Sequence, residues 1–281
     1  MAYYFLFPEK DSTMYSQPDR KTLNTGRDEI LELVKERGST DNILYPSRIL
    51  MKFKNEEIQE VIRDVINTGS ADLFSNSLSS SVSLQLFSAE PKNLLSTLNV
   101  NVYAVSQSWD EGTGRYSNLP TSSNGCSWIY RDNTTIARPW VGISPSISNT
   151  GSFNDDQFTT GSIANPLITQ GGGTWFTASN FVATQQFLAG DSLDTNFDVT
   201  SIIKAFSASL FVSQTYPTGI INNGFLIKKP DAIEINTSHS FGELQYFSVD
   251  THTIFPPKLC FKWDDCNYPD EYTGSAKLAE N

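Results

Sequence analysis

Two stretches of this chain alternate apolar and polar residues with a period of two, and only strands can bury such rows. Val82, Leu84 and Leu86 fall on one side of residues 81–87. Leu98, Val100, Val102 and Ala104 fall on one side of residues 98–105. Successive strand side chains point to opposite faces, so each row needs a second apolar layer to cover it.

Further strands follow the same logic. Residues 47–53 place Ile49, Met51 and Phe53 on one face. A short strand, 225–228, follows the turn Asn222-Asn223-Gly224. Residues 244–249 and 258–263 complete the set, the last with Leu259, Phe261 and Trp263 inward and Lys258 and Lys262 outward. Pro256-Pro257 sets its start and, lacking N–H groups, is expected to blunt an edge. The polar linker 8–20 holds one short strand at Thr13-Met14-Tyr15. Residues 29–35 fit a helical stripe through Ile30, Leu33 and Val34, or a strand through Leu31 and Leu33.

Helix signals are few. Ile58, Val61, Ile62, Val65 and Ile66 recur at helical spacing behind Asn55, whose side chain is expected to act as the N-cap. This helix should pack over one end of a sandwich. Asp198-Val199-Thr200 leads from a strand end into a helical turn, with Thr200 as its cap and Ile202, Ile203 and Phe206 as its apolar side. Between 106 and 180 Ser, Thr, Asn and Gly dominate, punctuated by Trp128, Trp140 and Trp175, which reads as a loop-rich crown. Gly171-Gly172-Gly173 is expected to be a turn or a bulge. The 18 Phe, 11 Tyr and 5 Trp supply enough bulk to fill a core. The expectation is an all-β, jelly-roll β-sandwich over residues 1–263, with one short amphipathic helix, long loops and an N-terminal extension. An acidic tail, 264–281, follows.

The ordered segments resemble the DNRLRE domain family, which is similar to carbohydrate-binding modules. Asp11-Ser12-Thr13-Met14-Tyr15 resembles its opening strand and Ser47-Arg48-Ile49-Leu50-Met51-Lys52-Phe53 its first core strand. Residues 81–87 and 100–105 resemble the next two. Trp109-Asp110-Glu111-Gly112 and Gly125-Cys126-Ser127-Trp128 are similar to its Trp-Asp/Glu-Glu and Gly-x-Thr-Trp elements, with Ser127 in place of Thr. Asp198-Val199-Thr200, Asn223-Gly224-Phe225-Leu226-Ile227 and Pro256-Pro257-Lys258-Leu259 match in order. Phe247-Ser248-Val249-Asp250 departs from the pattern, because the family's Arg is missing. Thr251-His252-Thr253-Ile254-Phe255-Pro256-Pro257 with Phe261-Lys262-Trp263-Asp264-Asp265 looks like the version found in structural proteins of contractile-tailed phages of marine bacteria. The resemblance implies a virion component.

Catalytic chemistry is hard to place. His239 and His252 are the only histidines, and both read as structural or turn residues rather than members of a nucleophilic triad. Asp110 and Glu111 are adjacent, unlike a facing pair of glycosidase carboxylates, and read as a turn bonded to backbone amides. Asp155-Asp156 and Asp264-Asp265 lack the spaced oxygens of a calcium loop. Cys126, Cys260 and Cys266 form neither a disulfide framework nor a metal motif with the histidines. No cofactor or metal is expected. The net charge of −11 disfavours nucleic acid and anionic membranes as partners.

The reading is therefore a non-enzymatic virion protein of a tailed phage, in the neck, tail or baseplate periphery. Its partners would be other virion proteins, in several symmetric copies. The alternative is a glycan-binding module for host adsorption. Trp109, Trp128 and Trp263 are assigned to the core. Trp140, after Arg138-Pro139, is the best candidate for an exposed sugar platform. Tyr268 and Tyr272 are the candidate contacts of a docking tail.

Overall fold

The computed structural model describes residues 2–39, 43–66, 80–90, 97–117, 121–140, 150–153, 171–210, 219–236 and 239–263. The two alternating rows lie in facing antiparallel sheets. β6 (Ser81–Gln85) sits in a four-stranded sheet of order β1 (Ala2–Leu6), β16 (Lys258–Trp263), β6, β13 (Phe197–Asp198). β7 (Leu98–Ala104) sits in a larger sheet of order β12 (Val182–Phe187), β7, β14 (Phe225–Lys228), β5 (Leu44–Lys52), β2 (Lys10–Tyr15). β4 (Lys35–Arg37) also pairs with β5. Val82, Leu84, Leu259 and Phe261 from the smaller sheet meet Ile49, Met51, Val100, Val102, Phe225 and Ile227 from the larger in one buried cluster. The expected all-β sandwich is present.

Two helices close one end of that core. α1 (Asn55–Glu60) runs on as a π-helical turn, Val61–Ile66, and buries Ile58, Val61 and Ile62. α2 (Thr200–Leu210) buries Ile202, Ile203 and Phe206 and contacts α1. A one-turn helix, α3 (Asp231–Glu234), follows β14. The expectation of a single short helix is thus corrected. α2 is the longer of the two closing helices; its one fully buried polar side chain among the described residues, Ser207, donates to the Lys204 carbonyl at 2.9 Å.

The larger sheet is buried on both faces over β2, β5 and β14, whereas outer residues of β7 and β12 such as Asn99 and Thr184 are exposed. Its outer residues Met14, Leu50 and Leu226 form a second cluster with Trp109, Cys126, Trp128, Trp140 and Trp175. The described parts of the Ser- and Gly-rich stretch after β7 therefore lie over the sheet as a third layer. β8 (Tyr130–Asp132) with β9 (Arg138–Pro139), and β10 (Thr150–Phe153) with β11 (Gly171–Phe176), are its short hairpin-like pairs. β3 (Ile30–Leu33) pairs with β15 (Leu244–Phe247), which resolves the ambiguous 29–35 stretch as a strand.

Gly171-Gly172-Gly173 does form the expected bulge, with the register slipping between Ser152 and Phe153, and it continues straight into β11. The glycines are needed because neighbours already fill the space. A Cβ on Gly171 would lie 2.1 Å from the Trp128 carbonyl oxygen, and one on Gly172 2.6 Å from Arg48 Nη1. All three have positive φ.

Three local expectations change. Asn55 is the first helical residue of α1, not its cap; its Oδ1 accepts from Asn222 Nδ2 at 2.9 Å instead. Thr200 is the first residue of α2. Asp198 Oδ1 accepts its N–H at 3.1 Å, and Thr200 Oγ1 accepts from the Val82 N–H at 2.8 Å. Pro256-Pro257 does not blunt an edge, because β16 lies inside its sheet between β1 and β6. The edge is β1, a strand without apolar alternation, which is why periodicity missed it.

Candidate functional site

The outer face of the smaller sheet carries the most chemistry available to a partner. Strand register sets its rows. Tyr3, Lys262 and Ser81 stand side by side, as do Phe5, Cys260, Ser83 and Asp198, and Lys258 pairs with Gln85. Tyr3, Ser81, Ser83, Gln85, Asn196, Asp198 and Lys262 line a shallow hollow of about 310 Å³. Lys262 Nζ lies 6.0 Å from the Tyr3 ring centre. Lys258 Nζ lies 4.3 Å from Phe5 and 5.1 Å from Phe87, within cation–π range of both rings.

Through Lys258 the aromatic surface continues. Phe87 packs 5.6 Å from Phe255, and Phe247 stacks on Phe255 at 6.3 Å. β1 itself reads Ala-Tyr-Tyr-Phe-Leu. Exposure is 54% for Tyr3, 41% for Tyr4, 44% for Phe5 and, just beyond the strand, 50% for Phe7. Phe255 and Ile254 are exposed as well. The result is a lane of rings along one edge of the sandwich, bridged by two lysine stems.

A second opening, about 580 Å³, lies beside β4 and is lined by Gln17, Lys35, Glu36, Arg37, Leu44, Tyr116, Ser240 and Glu243. The Tyr116 hydroxyl donates to Glu36 Oε1 at 2.7 Å, and the Arg20 guanidinium lies 3.4 Å above the Tyr116 ring. Burial raises the Glu36 carboxyl above its ordinary value. The groove is tied to the fold through Lys35, whose Nζ donates to the carbonyls of Ile233 at 2.6 Å, His239 at 3.1 Å and Asn236.

Behind it lies a buried ionic cluster closed to ligands. Arg48 forms a two-point pair with Glu234 and donates from Nη1 to the Gly172 carbonyl at 2.7 Å. Its guanidinium lies 4.6 Å from a Trp128 ring and 5.2 Å from a Trp175 ring. Lys228 Nζ lies 3.2 Å from Glu234 Oε2 and also pairs with Asp231. This cluster fastens α3 and the bulged glycines to the outer face of the larger sheet.

Trp140 corrects an expectation. It is 6% exposed, its Nε1 donates to the Ser127 carbonyl at 2.9 Å, and its backbone N–H donates to the Ile129 carbonyl at 3.1 Å. It belongs to the second core, because the third layer it lies in needs bulk to cover Leu50 and Leu226. Trp109, Trp128 and Trp263 are buried as expected. Tyr268, Tyr272, Cys266, Asp155-Asp156 and Asp264-Asp265 lie outside the described residues.

No family model and no curated protein matches the chain.

The candidate catalytic groups are engaged in the frame. Asp110 Oδ2 accepts from the Thr134 hydroxyl, while Glu111 Oε1 accepts from the Asp11 N–H at 3.3 Å and Oε2 pairs with Arg27 at 3.2 Å. Of the expected turn bonded to backbone amides, one amide bond is present, from the Asp11 N–H to Glu111; residues 110–112 form no turn, although Gly112 has φ of +80°. His239 and His252 are exposed. Cys126 and Cys260 are free and buried. Among the described residues no cluster has a metal-binding arrangement, and no helix is long and apolar enough to cross a membrane. The lane at β1 escaped the sequence reading, although four aromatic residues in the first seven, Tyr3, Tyr4, Phe5 and Phe7, were its visible signal.

Proposed function

We propose that this chain is a non-enzymatic structural protein of a tailed-phage virion that works by docking onto neighbouring proteins. The exposed aromatic edge at β1 carries the docking part of this reading. Natural edge strands are guarded by charge, proline, bulges or a covering loop. Within β1 there is no charged residue, no proline and no register break. Contiguous exposed rings of this kind mark interaction surfaces. The virion part rests on the ordered resemblance to phage structural proteins and remains the interpretation that the docking edge best serves.

Mass spectrometry of purified particles tests it. The protein should be recovered in fixed ratio to the other structural proteins, and its absence from particles would remove the virion reading. A chain truncated after Asp265 separates two routes of docking. If the tail with Tyr268 and Tyr272 is the docking arm, the sandwich folds but does not enter particles.

The hollow on the outer face of the smaller sheet favours a second reading, glycan binding. Hydroxyls of Ser81 and Ser83, amides of Gln85 and Asn196, the Asp198 carboxylate and the Tyr3 ring surround one opening. Stacking rings beside amides and carboxylates suit a sugar. A host-glycan array with Tyr3→Ala and Asn196→Ala as controls decides it: binding lost in both variants supports the reading, and no binding by the parent chain ends it.

A further inference from the structure

We infer that β1 pairs antiparallel with β1 of a second copy of this chain, joining two smaller sheets across a two-fold axis. This rests on the docking reading of the β1 edge and names its occupant.

The smaller sheet has two ends. One is β13, two residues long and ending in Asp198; the other is β1, five residues long and uncharged. A head-to-tail contact of β1 on β13 would match five residues with two, and would leave an edge open at each step. Pairing β1 with its own copy uses the long edge of both chains and closes. Among the described residues β1 is hydrogen-bonded on one side only, to β16.

The side chains suit self-pairing. Centred on Tyr4, an antiparallel pair puts Tyr4 opposite Tyr4, Tyr3 opposite Phe5 and Ala2 opposite Leu6. Ring-on-ring pairs across strands are favourable. Tyr4 is the informative residue. Its register partner Phe261 is fully buried, yet Tyr4 is 41% exposed, because among the described residues no strand lies beyond it to cover its ring.

The area is that of a weak, reversible association. A half-exposed aromatic ring offers roughly 100 Å². Tyr3, Tyr4, Phe5 and Phe7, the exposed rings at the edge, then offer about 400 Å² per copy, so that the pair buries about 800 Å² of ring surface, in keeping with a micromolar equilibrium rather than an obligate dimer. Charge does not oppose it at close range. Lys262 lies one strand in from β1, so the two copies' Lys262 residues are three strand spacings apart, about 14 Å, beyond the Debye length of about 8 Å at physiological salt. The net charge of −11 per chain acts at longer range and predicts tighter association as salt rises.

Sedimentation of the full chain from about 1 to about 100 μM tests the pairing. The expected result is a monomer–dimer equilibrium that shifts towards dimer with added salt. Tyr4→Lys should weaken it at least about 30-fold while leaving near-ultraviolet circular dichroism unchanged. A second variant guards against misfolding. Tyr4→Cys in a Cys266→Ser background should crosslink under mild oxidation, because opposed residues of an antiparallel pair sit at disulfide distance. A monomer throughout the range, open-ended oligomers, or a dimer that neither responds to Tyr4→Lys nor crosslinks overturns the inference. A monomer still recovered in particles would overturn the pairing alone and leave docking standing.

Discussion

Arg48 and Glu234 face each other in a two-point ion pair, with Nε–Oε1 at 3.1 Å and Nη2–Oε2 at 2.8 Å, and neither side chain reaches solvent. Arg48 is on a central strand and Glu234 on a one-turn helix 186 residues later. The pair holds together the sheet, α3 and the tryptophan layer.

Breaking that pair from one side should be costly. Glu234→Ala leaves Arg48 buried without its carboxylate and Lys228 with Asp231 alone, and is expected to destabilise the fold by about 3–5 kcal/mol. Arg48→Met combined with Glu234→Ala removes the stranded charge, so the double variant should be less destabilised than the sum of the two singles by about 1 kcal/mol or more. Urea denaturation of the four proteins gives the cycle. Additive effects would show that the two side chains act separately.

Gly172→Ala should disturb the same region from the backbone side. The position has φ of +73°, and a Cβ there would meet Arg48 Nη1 at 2.6 Å and the Trp128 ring at 2.8 Å. The expected loss is about 2 kcal/mol or more, with altered near-ultraviolet tryptophan signal. Gly190→Ala is the comparison, because nothing lies within 4 Å of its Cβ position although its φ is +91°. It should bear only the backbone part of the cost.

Trp140→Ala should act as a core deletion. With the indole buried and its Nε1 bonded to Ser127, truncation is expected to cost about 3–5 kcal/mol, and Trp140→Phe clearly less. Thermal melts measure both. Loss of ligand binding in Trp140→Ala without loss of stability would contradict the buried placement.

Stability should fall as pH rises through the weakly acidic range. Burial raises the Asp28 carboxyl to about 6, against the opposing pull of the Tyr116 N–H that donates to it. Burial also raises Asp11, Glu36 and Glu111. Between the ordinary carboxyl value and about 6 the folded chain therefore holds more protons than the unfolded chain. Its stability is then greater at the acid end of that window and declines towards pH 6 and above. Asp28→Asn should flatten part of this slope in melts taken from pH 4 to pH 7. An unchanged slope would assign it to the other three carboxyls.

Much of the sandwich was legible because strand periodicity is local. Val82, Leu84 and Leu86, or Leu259, Phe261 and Trp263, declare their inward face whatever they pack against. β5 shows where that logic stops. Ile49 and Met51 read as one buried face, but their neighbours Arg48 and Leu50 are also buried, under a layer drawn largely from residues more than about 50 positions away. A Ser- and Gly-rich stretch gives no periodic sign that its tryptophans cover a sheet. The candidate surface was the least legible part. β1 has no alternation because Tyr3 and Phe5 on its outer face are as apolar as Tyr4 and the core residue Leu6 on the other, and only its place beside β16 makes it an edge.

The sequence alone determined the all-β class, the inward rows of the central strands and the apolar sides of the two closing helices, since each follows from which side chains a short stretch can hide. Tertiary structure decided that a second core backs the larger sheet, that Arg48 and Glu234 meet inside it, that Trp140 is packed away, and that the aromatic run at β1 stands at an edge. These depend on pairings between residues far apart in the chain, and the free energy of such a pairing is not written in either segment by itself.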